Sequence, residues 1–272
     1  MLLGISSYAY TWSIGVPGYP LPEKKMSPLD LIKMAKELGV EVVQIADNIP
    51  LHSFGRKEIE NIGKEAKKQG VILELGTRGV IPSILIEYLE IAKLLEAKLL
   101  RVLLDSPDSS PTIEQAVEWI RSVLSDFRKE GIFIAIENHD LRTSKELLEL
   151  VRRIDDPYVG ICLDTANSIG ALENPYEVIK VLSPFTLCLH LKDVEIYRPK
   201  HQQGFVIEGR PLGRGKLNIR WILETVKSFG RDPNVILELW VPFTESIDKT
   251  IELERMWIRE SVEYAKQLLA VL

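Results

Sequence analysis

Eight short apolar runs punctuate the chain, at Leu2–Ser6, Val42–Ala46, Val71–Leu75, Leu99–Leu104, 132–137, 159–164, 186–191 and 235–240. Runs this continuous read as strands buried on both faces, as in a parallel sheet, and not as the alternating strands of a half-solvated one. A helical pattern follows each of them. Ser27-Pro28 supplies a cap and a first-position proline, Leu31, Ile32, Met34, Ala35 and Leu38 fall on one face, and Gly39 ends the segment. Further helices are predicted over 56–69, 82–96, 144–154, 217–229 and 248–270, from Thr112 to Gly131, and from Asn174-Pro175. Thr112-Ile113-Glu114-Gln115 and Thr143-Ser144-Lys145-Glu146 have capping-box form. Eight strand–helix alternations without a linker select a single-domain α/β fold over 1–272, the (β/α)8 TIM barrel. An open doubly wound sheet has fewer strands and wants a glycine-rich turn after the first of them. Gly213-Arg214-Gly215 comes too late to be that turn.

The ends of the last strands carry the chemistry. Ile132-Phe133-Ile134-Ala135-Ile136 runs directly into Glu137-Asn138-His139-Asp140, and three later runs end in Asp164, His190 and Glu238. Barrel active sites sit at the C-terminal ends of the strands. Alternation along a strand lets these four side chains point inward at one rim. Three converging carboxylates would repel one another without a cation. The expectation is therefore one divalent ion, Mn²⁺, Mg²⁺, Co²⁺ or Zn²⁺, held by Glu137, Asp164, His190 and Glu238. Lys192, two positions past His190, should share its inward side and place a cation beside the ion, where it can hold a carboxylate or stabilise an enolate. Arg101 lies within an apolar strand and needs a partner, either Glu74 or a substrate anion. Cys162 and Cys188 should fill the layer below the metal, while His139 and Trp240 are expected at the pocket wall. The stretch 194–216 is long for a strand–helix connection and reads as a lid or binding loop. Its Arg198 and Arg210 point to an anionic group on the substrate.

Bulk properties narrow the partners. A formal net charge of −5 gives no electrostatic reason to expect nucleic acid or an anionic membrane. No apolar run reaches membrane-spanning length, and the chain opens without an export signal. The two cysteines lie inside apolar runs, so the expectation is a cytoplasmic protein, for which a homo-oligomer is compatible with the sequence. The Lys/Glu/Ile-rich composition points to a warm-growing source.

Over essentially its whole length the chain resembles the xylose isomerase-like TIM-barrel superfamily. The matching motifs are Ile136-Glu137-Asn138-His139, Leu163-Asp164-Thr165, His190-Leu191-Lys192-Asp193, Gly213-Arg214-Gly215 and Leu237-Glu238. The resemblance implies one catalytic divalent metal on Glu137, Asp164, His190 and Glu238. It also implies that Glu137 and Glu238 can move a proton at the carbon beside a carbonyl. Two positions depart from the epimerases of that superfamily: Asn167 stands where they have a histidine, and Thr143 where they often have a further glutamate. The endonucleases of the superfamily need extra histidines, and the loop after His190 offers only His201. The leading expectation is a metal-dependent isomerase or epimerase of carbohydrate metabolism, acting on a small sugar or keto-sugar through an enediolate. A lyase that decarboxylates or dehydrates a keto-sugar acid is the alternative, favoured by Asn167, Thr143 and the cations. A barrel that only binds sugar is the third reading. Under the two enzymatic readings Glu137, Glu238 and Lys192 are the candidate catalytic groups, and His139, Asn167, Arg101, Arg198, Arg210 and Trp240 are the candidate substrate contacts.

Overall fold

Helix boundaries follow the caps in the sequence. In the computed structural model, which describes residues 1–200 and 203–272, Ser27, Thr112 and Thr143 each close a capping box. Gly39, Gly70 and Gly131 end their helices in the left-handed conformation. His201 lies outside the described residues.

The helices are α1 (Thr11–Ile14), α2 (Pro28–Leu38), α3 (Arg56–Gln69), α4 (Pro82–Leu94), α5 (Ile113–Glu130), α6 (Ser144–Ile154), α7 (Pro175–Leu182), α8 (Ile219–Ser228) and α9 (Ile247–Leu269). The strands are β1 (Leu3–Ser6), β2 (Val42–Ile45), β3 (Ile72–Arg78), β4 (Leu99–Leu103), β5 (Phe133–Glu137), β6 (Val159–Asp164), β7 (Thr186–Leu191), β8 (Asp193–Tyr197), β9 (Val206–Arg210) and β10 (Asn234–Leu237). Eight of these, β1 to β7 and β10, pair in parallel and close a barrel in which β10 sits between β7 and β1.

Barrel closure puts a two-residue rhythm to use. Val42, Leu99, Ala135, Cys162, Cys188 and Ile236 form a buried apolar floor inside the barrel. Two residues further along the same strands stand Gln44, Arg101, Glu137, Asp164, His190 and Glu238, all buried. Since side chains alternate along a strand, each polar group must sit one layer above an apolar one on the same inner face. The larger apolar cluster lies outside, between the barrel and its helices. Among the described residues no helix is long and apolar enough to cross a membrane.

Two stretches differ from the sequence reading. β3 continues three residues past Leu75 and so carries Arg78 to the rim. The long connection after β7 is no simple loop: β8 and β9 form an antiparallel hairpin. Gly209 of that hairpin lies against the backbone of Trp240, where an added Cβ would meet the carbonyl oxygen at 2.1 Å. The Gly213-Arg214-Gly215 turn wraps the carboxylate of Asp193, which accepts from the amides of Gly213 and Gly215 at 2.9 Å each. An added Cβ on Gly215 would fall 2.1 Å from that carboxylate, so this motif anchors the hairpin.

Candidate metal centre and cavity

Glu137, Asp164, His190 and Glu238 converge at the upper end of the barrel, each offering a ligand atom within 4.8 Å of the others. Asp164 is paired directly with His190 in the β6–β7 register, which sets them side by side. His190 Nδ1 lies 3.4 Å from Glu238 Oε1, 3.6 Å from Glu137 Oε1 and 3.9 Å from Asp164 Oδ2. Two atoms that ligate one ion at about 2.1 Å are about 3.0 Å apart at a right angle and about 3.4 Å at a tetrahedral one, so this spacing fits a shared ion.

The imidazole is aimed by a chain of amides. Its Nε2 donates to Gln44 Oε1 at 2.7 Å, across the barrel, which leaves Nδ1 facing the carboxylates. Gln44 Nε2 donates in turn to Glu74 Oε2 at 3.1 Å, and Asn234 Nδ2 to Glu74 Oε1 at 2.7 Å. Burial pushes the Glu74 carboxyl up to about 8, with Cys188 adding to the effect. Among the described residues, His190 Nδ1 and Glu238 Oε1 are buried with no hydrogen-bond partner. An unpaired imidazole nitrogen against an unpaired carboxylate oxygen is what a cation-binding site leaves when only the protein is considered. The four residues therefore fit a divalent ion.

The ion pairs around the cluster are dense. Arg101 Nε donates to Glu137 Oε2 and its Nη1 to Asp47 Oδ1 at 2.8 Å. Burial would raise the Glu137 carboxyl, but Arg101 and His190 outweigh it and hold it well below its ordinary range. Burial likewise opposes the ionised form of Glu238 and is outweighed by His190 and Lys192. Lys192 Nζ reaches Asp164 Oδ2 at 2.6 Å, Glu238 Oε2 at 2.8 Å and Asn167 Oδ1 at 3.1 Å, and stands 5.2 Å from the Trp240 ring. Those carboxylates overcome burial and keep the ammonium charged. Asn167 Nδ2 donates to Glu137 Oε1 at 2.7 Å, so an amide takes a position beside the cluster.

A cavity of about 320 Å³ opens above the cluster, lined by Arg101, Glu137, His139, Asn167, Lys192, Glu238 and Trp240 and also by Tyr8, Arg78, Asp140 and Gly170. This size is at the small end of ligand sites. His139 bonds Asp140 and is one-third exposed. Arg198 and Arg210 do not line the cavity: Arg198 is exposed and stacks on Phe205, and Arg210 pairs with Glu208 Oε2 at 2.5 Å. The expected Arg101–Glu74 pair does not form, because Arg101 points up to Glu137 and Asp47 while Glu74 lies in the amide chain on the other side of the imidazole. Cys162 and Cys188 are buried below the site as expected, and Cys188 also touches Gln44 and Glu74. Sequence reasoning missed Tyr8, Gln44, Asp47 and Arg78. The only available signal for Gln44 was a polar residue inside an apolar strand.

Over residues 32–267 the sequence matches the xylose isomerase-like TIM barrel family. It is 34% identical over 269 residues to the 3-oxo-isoapionate decarboxylase of Pectobacterium atrosepticum, covering 97% of this chain and 94% of that one. Among solved structures it is similar to D-psicose 3-epimerase of Clostridium cellulolyticum H10, crystallised with D-tagatose, at a TM-score of 0.75 and 17% identity, over 100% of this chain and 99% of that one. A xylose isomerase-like TIM-barrel protein of Mycobacterium smegmatis in complex with magnesium gives a TM-score of 0.70 at 15% identity, over 96% and 97% of the two chains.

Proposed function

Because the chain belongs to the xylose isomerase-like TIM-barrel family, we propose that it is a metal-dependent lyase that decarboxylates a 3-oxo sugar acid. The charge of the cavity carries this reading. Apart from Asp140, half-exposed and screened by water, the carboxylates of Asp47, Glu137, Asp164 and Glu238 face the cations Arg78, Arg101 and Lys192. Four negative charges against three positive ones leave a deficit of one, which a divalent ion turns into a surplus of one. That balance suits a monoanionic substrate and gives no advantage to a neutral sugar. The 34% identical decarboxylase supports the same choice.

A 3-oxo acid loses CO₂ when the C1–C2 bond breaks and its electron pair moves into the C2–C3 enolate. C2 then takes up one proton. A divalent ion on Glu137, Asp164, His190 and Glu238 would supply Lewis-acid polarisation of the ketone. Lys192 adds a fixed positive charge where the enolate oxygen develops, and its raised pKa keeps it an electrostatic stabiliser and not a proton donor. Both oxygens of Glu137 already accept hydrogen bonds, from Asn167 and Arg101, which suits a ligand better than a proton shuttle. The proton for C2 enters from the mouth of the cavity, beside His139. One observation favours isomerisation instead: Glu238 Oε1 has no partner and can serve as a base.

The test is a panel of 3-oxo sugar acids and neutral ketoses offered to protein loaded with Mg²⁺, Mn²⁺, Co²⁺ or Zn²⁺. Release of CO₂ from an acid, with ketoses unchanged, is the expected result. Epimerised ketose without CO₂ would overturn the proposal in favour of the isomerase.

A further inference from the structure

Resting on the keto-acid reading, we infer that Arg78, held by Asp47, is the seat of the substrate's carboxylate, and that it acts by binding and not by accelerating the bond cleavage. A count of open donors leads to this residue. Lys192 has three N–H bonds and three protein acceptors, Asp164, Glu238 and Asn167, within 3.1 Å. Arg101 uses Nε on Glu137 and Nη1 on Asp47, so each of its two fork faces already has a member engaged. Arg78 donates through Nε to Asp47 Oδ2 at 2.6 Å and lies against the Tyr8 hydroxyl, and among the described residues its Nη atoms meet no acceptor at hydrogen-bonding distance and angle. Its Nη1–Nη2 fork is the open bidentate face among these cations, and such a face matches a carboxylate.

The guanidinium is held where it can do this. Asp47 takes Arg101 on Oδ1 and Arg78 on Oδ2, and Tyr8 Oη donates to Oδ2 at 2.9 Å. Burial, reinforced by Asp47, pushes the Tyr8 phenol up to about 12, so it remains a hydroxyl donor. Arg78 therefore sits three ion pairs from the candidate metal ligand Glu137, through Asp47 and Arg101, with its side chain 41% exposed at the cavity.

The kinetic consequence follows from where the charge goes. The carboxylate is fully charged in the bound substrate and loses its charge as CO₂ forms, so its contact with Arg78 is strongest in the ground state. Arg78→Gln should raise KM at least about tenfold without lowering kcat, any change in kcat being upward. A residue that merely props the site would lower kcat.

A binding experiment separates this proposal from the reaction itself. Magnesium-loaded protein is titrated calorimetrically with D-erythronate and with erythritol, which differ only in carboxylate against hydroxymethyl. The wild type should prefer erythronate by at least about tenfold, Arg78→Lys should keep part of that preference, and Arg78→Gln should lose it with magnesium affinity unchanged. Retained preference in Arg78→Gln, or no preference in the wild type, would overturn the seat. A fall in magnesium affinity would also overturn it, because Arg78 would then be acting through Asp47 on the metal ligands. Preference that depends on Arg78 without CO₂ release from any keto acid leaves the seat standing and refutes the decarboxylase. CO₂ release with the preference intact in Arg78→Gln does the reverse.

Discussion

Replacing Gln44 by Met should cost the protein both stability and metal affinity. Methionine keeps the length and volume of glutamine but cannot accept from His190 Nε2, now bonded at 2.7 Å, or donate to Glu74 Oε2 at 3.1 Å. Each buried group left without a partner costs about 1–3 kcal/mol, so the two together come to roughly 2–6 kcal/mol. At about 2–4 °C per kcal/mol for a chain of this size, Tm should fall by roughly 5–20 °C. A second effect falls on the ring. Without the amide acceptor, Nε2–H is no longer favoured and Nδ1 is no longer held toward the carboxylates. Lost support of this kind lowers metal affinity about 10–100-fold. Calorimetric titration of metal-stripped protein with Mn²⁺ measures it directly. Long-range ¹H–¹⁵N NMR of the magnesium-loaded wild type should show the proton on Nε2 of His190. Wild-type Mn²⁺ affinity in Gln44→Met would refute the argument that the amide chain prepares the metal ligand.

Further outcomes follow from the same geometry. Lys192→Met retains the packing of the stem and deletes a charge worth on the order of 3 kcal/mol in the transition state, so kcat should fall at least about tenfold with metal content intact; steady-state kinetics beside metal analysis checks both. Glu254, buried on α9, accepts from Trp12 N at 2.7 Å and Ser13 Oγ at 2.6 Å, and burial raises it to about 7 against an ordinary 4.5. A raised carboxyl stabilises the fold fully below pH 4.5, and that contribution is lost as pH rises to about 7, a span on the order of 3 kcal/mol. Denaturant titrations from pH 4 to 8 should show that decline in the wild type and a flatter profile in Glu254→Gln. Chelation should abolish turnover while leaving the circular dichroism of the folded barrel unchanged, because the apolar floor and outer core close without the ion.

The fold was legible because its signals are local. Apolar runs, capping boxes and terminal glycines act over a few residues and set each strand and helix before any long-range contact forms. The four candidate ligands were legible for a related reason, since a carboxylate or imidazole closing an apolar run has to point into the barrel or out of it. What surrounds them was not. Gln44 meets His190 across 146 residues of sequence, and Arg101 meets Asp47 across 54, through side chains brought together only by closure. For that reason the sequence offers Arg101 either Glu74 or a substrate anion, whereas the structure gives it Glu137 and Asp47 and turns Glu74 to Gln44. The hairpin carries an alternating pattern in Val194, Ile196 and Ile207, but charged and aromatic residues between them read as loop. Arg198 and Arg210 stood out there for their charge alone, whereas Arg78 was hidden three residues beyond the expected end of its strand.

The most direct measurement follows both products of one turnover. A 3-oxo sugar acid labelled with ¹³C at its carboxyl is incubated in D₂O with metal-loaded protein and read by NMR. Metal-dependent decarboxylation predicts ¹³CO₂ and bicarbonate in step with a ketose carrying one deuterium at the carbon that bore the carboxylate, and neither product from metal-stripped protein. Label retained in the acid, with deuterium exchanged beside the carbonyl, would contradict it.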